Sequence, residues 1–158
     1  MMVNLHSDTQ TRPTPGMREV IARAEVGDEQ RRLDPTTIVL EERVAALLGH
    51  ETAVFLPSGT MCNVVALLVH IRAGGDEVVI DWTAHPVNHE VGGLATLAGA
   101  MTRTLDGNGG IFTADQLETA IRPAGNRYTP RSRLAWVEQT STRPLRSRIA
   151  STHRQASA

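Results

Sequence analysis

The chain has 158 residues, 41% of them apolar and 3% aromatic, and a formal net charge of −1. That length is enough for one hydrophobic core, which must rest on aliphatic and alanine packing, and the charge balance leaves no electrostatic footprint for nucleic acid. No apolar run reaches the roughly 18 residues of a membrane span, so no membrane partner is expected. Cys62 is the only cysteine, which excludes an internal disulfide and a CxxC metal site. The first eight residues lack the basic and apolar regions of a signal peptide, and a cytoplasmic location is the default expectation. All 16 cationic side chains are arginine; there is no lysine.

Pro13-Thr14-Pro15-Gly16 marks an irregular opening, Met17–Ala24 fits a short helix, and 27–34 is polar and loop-like. Asp34-Pro35 then opens a helix, with Asp as N-cap and Pro at the first helical position. Leu40, Val44, Leu47 and Leu48 give it one stripe expected to be buried, and Gly49 ends it. Glu41-Glu42-Arg43 reads as a solvated helix face. Ala53–Leu56 is a short strand candidate closed by Pro57-Ser58-Gly59-Thr60. Met61–Ile71, apolar on nearly all sides, predicts a buried helix.

Glu77–Ile80 is the next strand, Pro86–Ala100 a Gly- and Ala-rich helical region, and Met101–Leu105 another strand. Thr113-Ala114-Asp115-Gln116 fits a capping box, with Leu117, Ala120 and Ile121 at helical spacing before Pro123. Leu134–Glu138 is the last strand. Helices alternating with short apolar strands predict an α/β fold with a mostly parallel sheet flanked by helices. Residues 142–158 hold four arginines and no acid, against −5 for residues 1–141, and show no amphipathic period; they read as a basic, disordered or aberrant tail.

Three places carry candidate chemistry. Ser58-Gly59-Thr60 lies between an apolar segment and a helix, where hydroxyls and free backbone N–H groups meet the positive end of a helix dipole, an arrangement that suits a phosphate. Taken alone the signal is weak, since Ser-Gly-Thr before a helix is more often an ordinary N-cap. His85 follows a strand at the sheet's carboxyl edge, where open α/β proteins bind ligands, or else serves as a surface or capping histidine. His85 and His89 are four apart with Glu90 next, but no third metal ligand has a compelling spacing, and Pro57-Ser58-Gly59 lacks the Gly-x-Ser-x-Gly elbow of a hydrolase. Glu138, at the end of the last strand, is expected to be satisfied by a neighbouring loop.

Together the segments say more. Leu5-His6-Ser7-Asp8-Thr9, Thr11-Arg12-Pro13-Thr14, Val26-Gly27-Asp28-Glu29, Asp34-Pro35-Thr36 and Leu40-Glu41 resemble, in order, the opening of the threonine aldolase / β-eliminating lyase family. Phe55–Asn63 resembles its phosphate-binding turn and helix, and Ala84-His85 with Glu90-Val91-Gly92-Gly93 its cofactor-stacking segment. Arg131–Leu134 and Val137–Thr140 resemble the strand that follows. The collinear match covers about residues 3–141.

The resemblance implies the incomplete large domain of a fold type I pyridoxal-phosphate enzyme over 1–141. It implies pyridoxal 5'-phosphate as cofactor of the intact enzyme, a small amino-acid substrate and a homo-oligomer. Ser58, Gly59 and Thr60 would hold the cofactor phosphate, His85 would stack on its ring and handle the substrate hydroxyl proton, and Ser7 would contact the substrate carboxylate. The implied reaction is cleavage of a β-hydroxy-α-amino acid to glycine and an aldehyde, or β-elimination. His6 stands where family members commonly have arginine, Gln30–Leu33 where many have Val-Tyr-Gly, and Ser141 where many have histidine.

The family's Schiff-base lysine has no counterpart here, so a truncated, inactive piece with weak or no cofactor binding is expected. The competing reading is a catalytically silent fragment that acts only through association with other subunits. Either way, uncovered apolar surface and self-association are expected.

Overall fold

The computed structural model describes residues 7–139; the expected tail over 142–158 lies outside the described residues. The chain divides into two compact units, residues 1–55 and 56–158.

In the first unit, a 3-10 turn over Asp8–Gln10 precedes α1 (Pro15–Arg23), which Thr14 caps through a hydrogen bond from the Met17 N–H. A second 3-10 turn, Glu29–Arg31, ends in a left-handed Arg32 and leads to α2 (Pro35–Leu48). The expected caps are present: Asp34 accepts from the Thr37 N–H at 2.7 Å, and Gly49 takes the left-handed conformation with φ 70°.

The expected buried stripe on α2 is not found. Ala45 is its only buried residue, Val44 is half-buried, and Leu40, Leu47 and Leu48 are exposed, Leu47 by 80%. A helix stripe is buried only when another element lies across it, and the described part of this unit provides α1, turns and loops but no sheet. Glu41 departs from its expected solvated role. Its carboxylate accepts from the Phe55 N–H at 2.9 Å and faces Arg32 at 3.7 Å, with a side chain only 14% exposed. Residues 53–56 are not a strand; no neighbouring strand supplies a ladder, and the bond to Glu41 takes up the Phe55 amide instead.

The second unit starts with α3 (Gly59–His70), followed by β1 (Asp76–Asp81). Next come α4 (His85–Asn88), α5 (Gly93–Thr96), β2 (Met101–Leu105), α6 (Ala114–Ala120) and β3 (Arg131–Trp136). The sheet order is β2-β1-β3, with both pairings parallel, as the alternation of elements predicts. β1 is central and buried throughout. Leu67, Ile71, Val78, Ile80, Ala84, Leu94, Ala98 and Ala100 form the core, with Leu134 and Trp136 packed against it.

Three expectations need correction here. α3 exists, but it is not a buried helix: Leu67 is fully buried in the core, while Met61, Val65, Leu68 and Val69 are exposed because only the Leu67 side meets that core. The single helical region over 86–100 is broken into α4 and α5. Val91 and Gly92 between them both have positive φ, which no helix accommodates. The last strand begins and ends earlier than expected, so Glu138 lies two residues beyond it. The capping box of α6 is complete, the Thr113 N–H donating to Gln116 Oε1 and the Gln116 N–H to Thr113 Oγ1.

Two ion pairs close the amino end of the sheet. Arg122 meets the fully buried Glu77 at 2.8 Å, where Ser132 also donates, and Arg131 meets the buried Asp76 at 2.9 Å. Burial pushes the Asp76 carboxyl up, but the Arg72 N–H and Arg131 outweigh it and leave its pKa below the ordinary value.

Candidate functional site at the carboxyl edge of the sheet

Parallel strands end together, so the loops after β1, β2 and β3 share one edge. Asp81, the last residue of β1, shapes that edge. Its Oδ1 accepts from the Thr83 N–H and hydroxyl, and its Oδ2 from the Gly107 N–H at 2.8 Å beyond β2. A side chain at position 107 would have its Cβ 2.6 Å from Asp81 Oδ2, so this close approach requires glycine.

His85 begins α4 just beyond this turn. Its backbone N–H donates to Glu138 Oε1 at 2.7 Å, so the acid after β3 is satisfied by a neighbouring loop as expected. Its ring Nδ1 lies 2.8 Å from Glu90 Oε1, and its side chain remains 46% exposed. The His89 ring lies beside it, with centroids 5.3 Å apart and planes tilted by 50°.

Glu90 is the residue that sequence reasoning undervalued. Its side chain is only 2% exposed, and the same Oε1 accepts from Asn63 Nδ2 at 2.6 Å. Asn63 lies one turn along α3 from Gly59. Glu90 therefore ties His85 to the first turns of α3. The one amide inside an otherwise apolar helix and a carboxylate five residues after a histidine were the available signals.

At the start of α3, Ser58 is the N-cap and its Oγ accepts from the Met61 N–H at 3.2 Å. Among the described residues, the Gly59 and Thr60 N–H groups and the Thr60 hydroxyl have no partner, and all three residues are exposed. The turn is thus an ordinary N-cap that still offers two free amides and a hydroxyl to an anion.

Ser7 belongs to the first unit. Its Oγ lies 2.8 Å from Thr9 Oγ1 and accepts from the Thr9 N–H, bracing the first 3-10 turn. A shallow depression of about 410 Å³ lies against Trp82, Thr104, Leu105 and Asp106; none of the candidate site residues lines it. No helix of the described residues is long and apolar enough to cross a membrane.

An exposed helix start with free amides and an anchored histidine thus meet at the carboxyl edge of a parallel sheet, where open α/β proteins bind ligands. The family follows from comparison: residues 4–144 match the beta-eliminating lyase model, and the chain belongs to that family. It is 41% identical over 140 residues to low-specificity L-threonine aldolase 1 of Arabidopsis thaliana, which covers 87% of this chain and 39% of the relative. It is 37% identical to the low specificity L-threonine aldolase of Escherichia coli K12, covering 88% and 41%, and 34% identical to that of Saccharomyces cerevisiae, covering 87% and 36%. The chain thus spans about two fifths of the length of these relatives. Its small parallel sheet with flanking helices is consistent with part of a fold type I pyridoxal-phosphate domain.

Proposed function

We propose that this chain supplies the phosphate-holding and ring-stacking part of a pyridoxal-phosphate lyase that cleaves β-hydroxy-α-amino acids to glycine and an aldehyde. The observation that carries this reading is the Asn63–Glu90–His85 connection, which couples the exposed ring to the helix whose first amides are free. The names of the relatives support the aldol reaction; the family description also accommodates β-elimination.

The residues fit the cofactor in two respects. The Gly59 and Thr60 N–H groups with the Ser58 and Thr60 hydroxyls would hold its phosphate, aided by the helix dipole. His85, held at its backbone N–H and at Nδ1, would present a ring face for stacking and Nε2 for the substrate hydroxyl proton. When bound, the cofactor supplies the electron sink for the bond broken at Cα. Ser7 would contact the substrate carboxylate. With no lysine among the 158 residues, this chain by itself binds the cofactor noncovalently and is inactive alone. The intact enzyme would be a homo-oligomer, and the uncovered Leu68 and Val69 of α3 favour association of the isolated chain.

Titration of the purified chain with pyridoxal phosphate, followed by amide NMR, tests this reading. Shifts should centre on Gly59, Thr60 and His85. Thr60→Val, which deletes one donor, should weaken binding on the order of tenfold. A folded sample with no shift at these positions would refute the proposal.

A further inference from the structure

We propose that Glu90 is a positioning residue that holds His85 in the Nδ1–H tautomer, leaving the Nε2 lone pair turned outward as a proton acceptor. A neutral imidazole carries one N–H, and the partner at one nitrogen decides what the other can do. Glu90 Oε1 lies 2.8 Å from Nδ1 and already accepts from the Asn63 amide at 2.6 Å. A carboxylate oxygen has a second lone pair, so it accepts a second hydrogen bond, donated by the Nδ1–H. Its side chain is 2% exposed, so water does not compete for that lone pair. Nε2 has no partner among the described residues, and the half-exposed ring presents it to a ligand.

The other groups around the ring leave this assignment intact. Glu138 Oε1 is bound to the His85 backbone N–H, and His89 packs its ring beside that of His85. Both serve to orient the imidazole. Asn63 in turn holds the carboxylate, so a residue on α3 and one after α4 together set the ring's protonation pattern.

The consequence for catalysis rests on the function proposed above; the tautomer itself does not. A substrate hydroxyl would lose its proton to Nε2: the O–H bond breaks, its electron pair stays on oxygen, and an Nε2–H bond forms. The resulting imidazolium keeps its Nδ1–H on the Glu90 carboxylate, which stabilises the new positive charge.

Imidazole nitrogen NMR of the cofactor-free chain, at a pH well above the ordinary histidine range, reads the tautomer directly. His85 should appear as Nδ1–H in the native protein. Glu90→Gln should shift it to a mixture, and Glu90→Leu, which removes the acceptor, to mainly Nε2–H. His89 should stay unchanged as an internal reference, and the amide spectrum of β1 reports whether each variant is folded. If Glu90→Leu fails to fold, Glu90→Gln and the native spectrum still decide. An Nε2–H signal in the native protein, or an unchanged His85 in a folded variant, overturns the proposal. Loss of the pyridoxal phosphate shifts at Gly59 and Thr60 with the native tautomer intact would refute the functional reading alone.

Discussion

Residues up to Phe55 and residues from Leu56 onward are held by different forces. The later stretch buries Leu67, Val78 and Ile80 completely and closes the amino end of its sheet with two buried acids facing arginines. In the earlier stretch, Ala45 is the only buried apolar residue among those described. Its order is concentrated on Asp34, which accepts from the Thr37 and Gly27 N–H groups, while Thr36 Oγ1 donates to the Glu25 carbonyl at 2.6 Å. Hydrogen bonds thus join two short motifs, Val26–Glu29 and Asp34–Thr36, without a core of their own. Burial gives one region cooperativity, whereas a capped loop and helix can open locally at low cost.

The sharpest way to break that contrast is to remove apolar volume from each side. Ile80→Ala should cost about 2–5 kcal/mol, because Ile80 is fully buried in the sheet, whereas Leu47→Ala should stay within about 0.5 kcal/mol. Equilibrium urea unfolding of the two variants measures both; equal losses would mean that α2 is covered in solution.

Arg122→Met tests the polar part of the later stretch. It leaves Glu77 buried without its cation, and the expected loss is about 3 kcal/mol, near the lower end for a broken buried pair because Arg122 keeps some exposure and Ser132 still donates. Denaturation followed by tryptophan fluorescence, from Trp82 and Trp136, would read it.

The smallest effect separates the regions by pH. The Thr37 N–H and then the Gly27 N–H hold the Asp34 carboxyl below the ordinary range. Its folded pKa is depressed, so its contribution is complete above the unfolded value of about 4 and is lost as pH falls through the folded value. Asp76 works in the same acid window, with the Arg72 N–H and Arg131 in place of a cap. In Asp34→Asn, amide exchange at Gly27 and Thr37 should be faster at neutral pH and should lose its acid dependence, while amides of β1 keep theirs. A parallel change in β1 would show that the two stretches unfold as one.

Local chemistry was legible from residue order wherever a side chain acts within one turn. Asp34-Pro35 with Gly49 set both ends of α2, Thr113 with Gln116 set the start of α6, and Ser58 set the start of α3, each through a bond to a backbone group at most four residues away. Hydropathy also located β1, because a buried parallel strand reads as a short apolar run bounded by turns. Of the candidate site, Ser58–Thr60 and His85 were readable for the same reason: one precedes a helix and the other follows a strand.

Tertiary structure alone decided which apolar residues are buried and what holds the histidine. Leu47 and Leu67 look alike in the sequence, yet one is exposed and the other fully buried, because burial depends on which element crosses the helix. The Asn63–Glu90 bond spans 27 positions and the Glu138–His85 bond spans 53; both exist only because α3 and the ends of parallel strands converge at one edge. The sequence by itself determined the caps, the turns and the supply of acids and amides. Packing assigned those groups their partners, since a hydrogen bond depends on distance in space and residue order does not encode that distance.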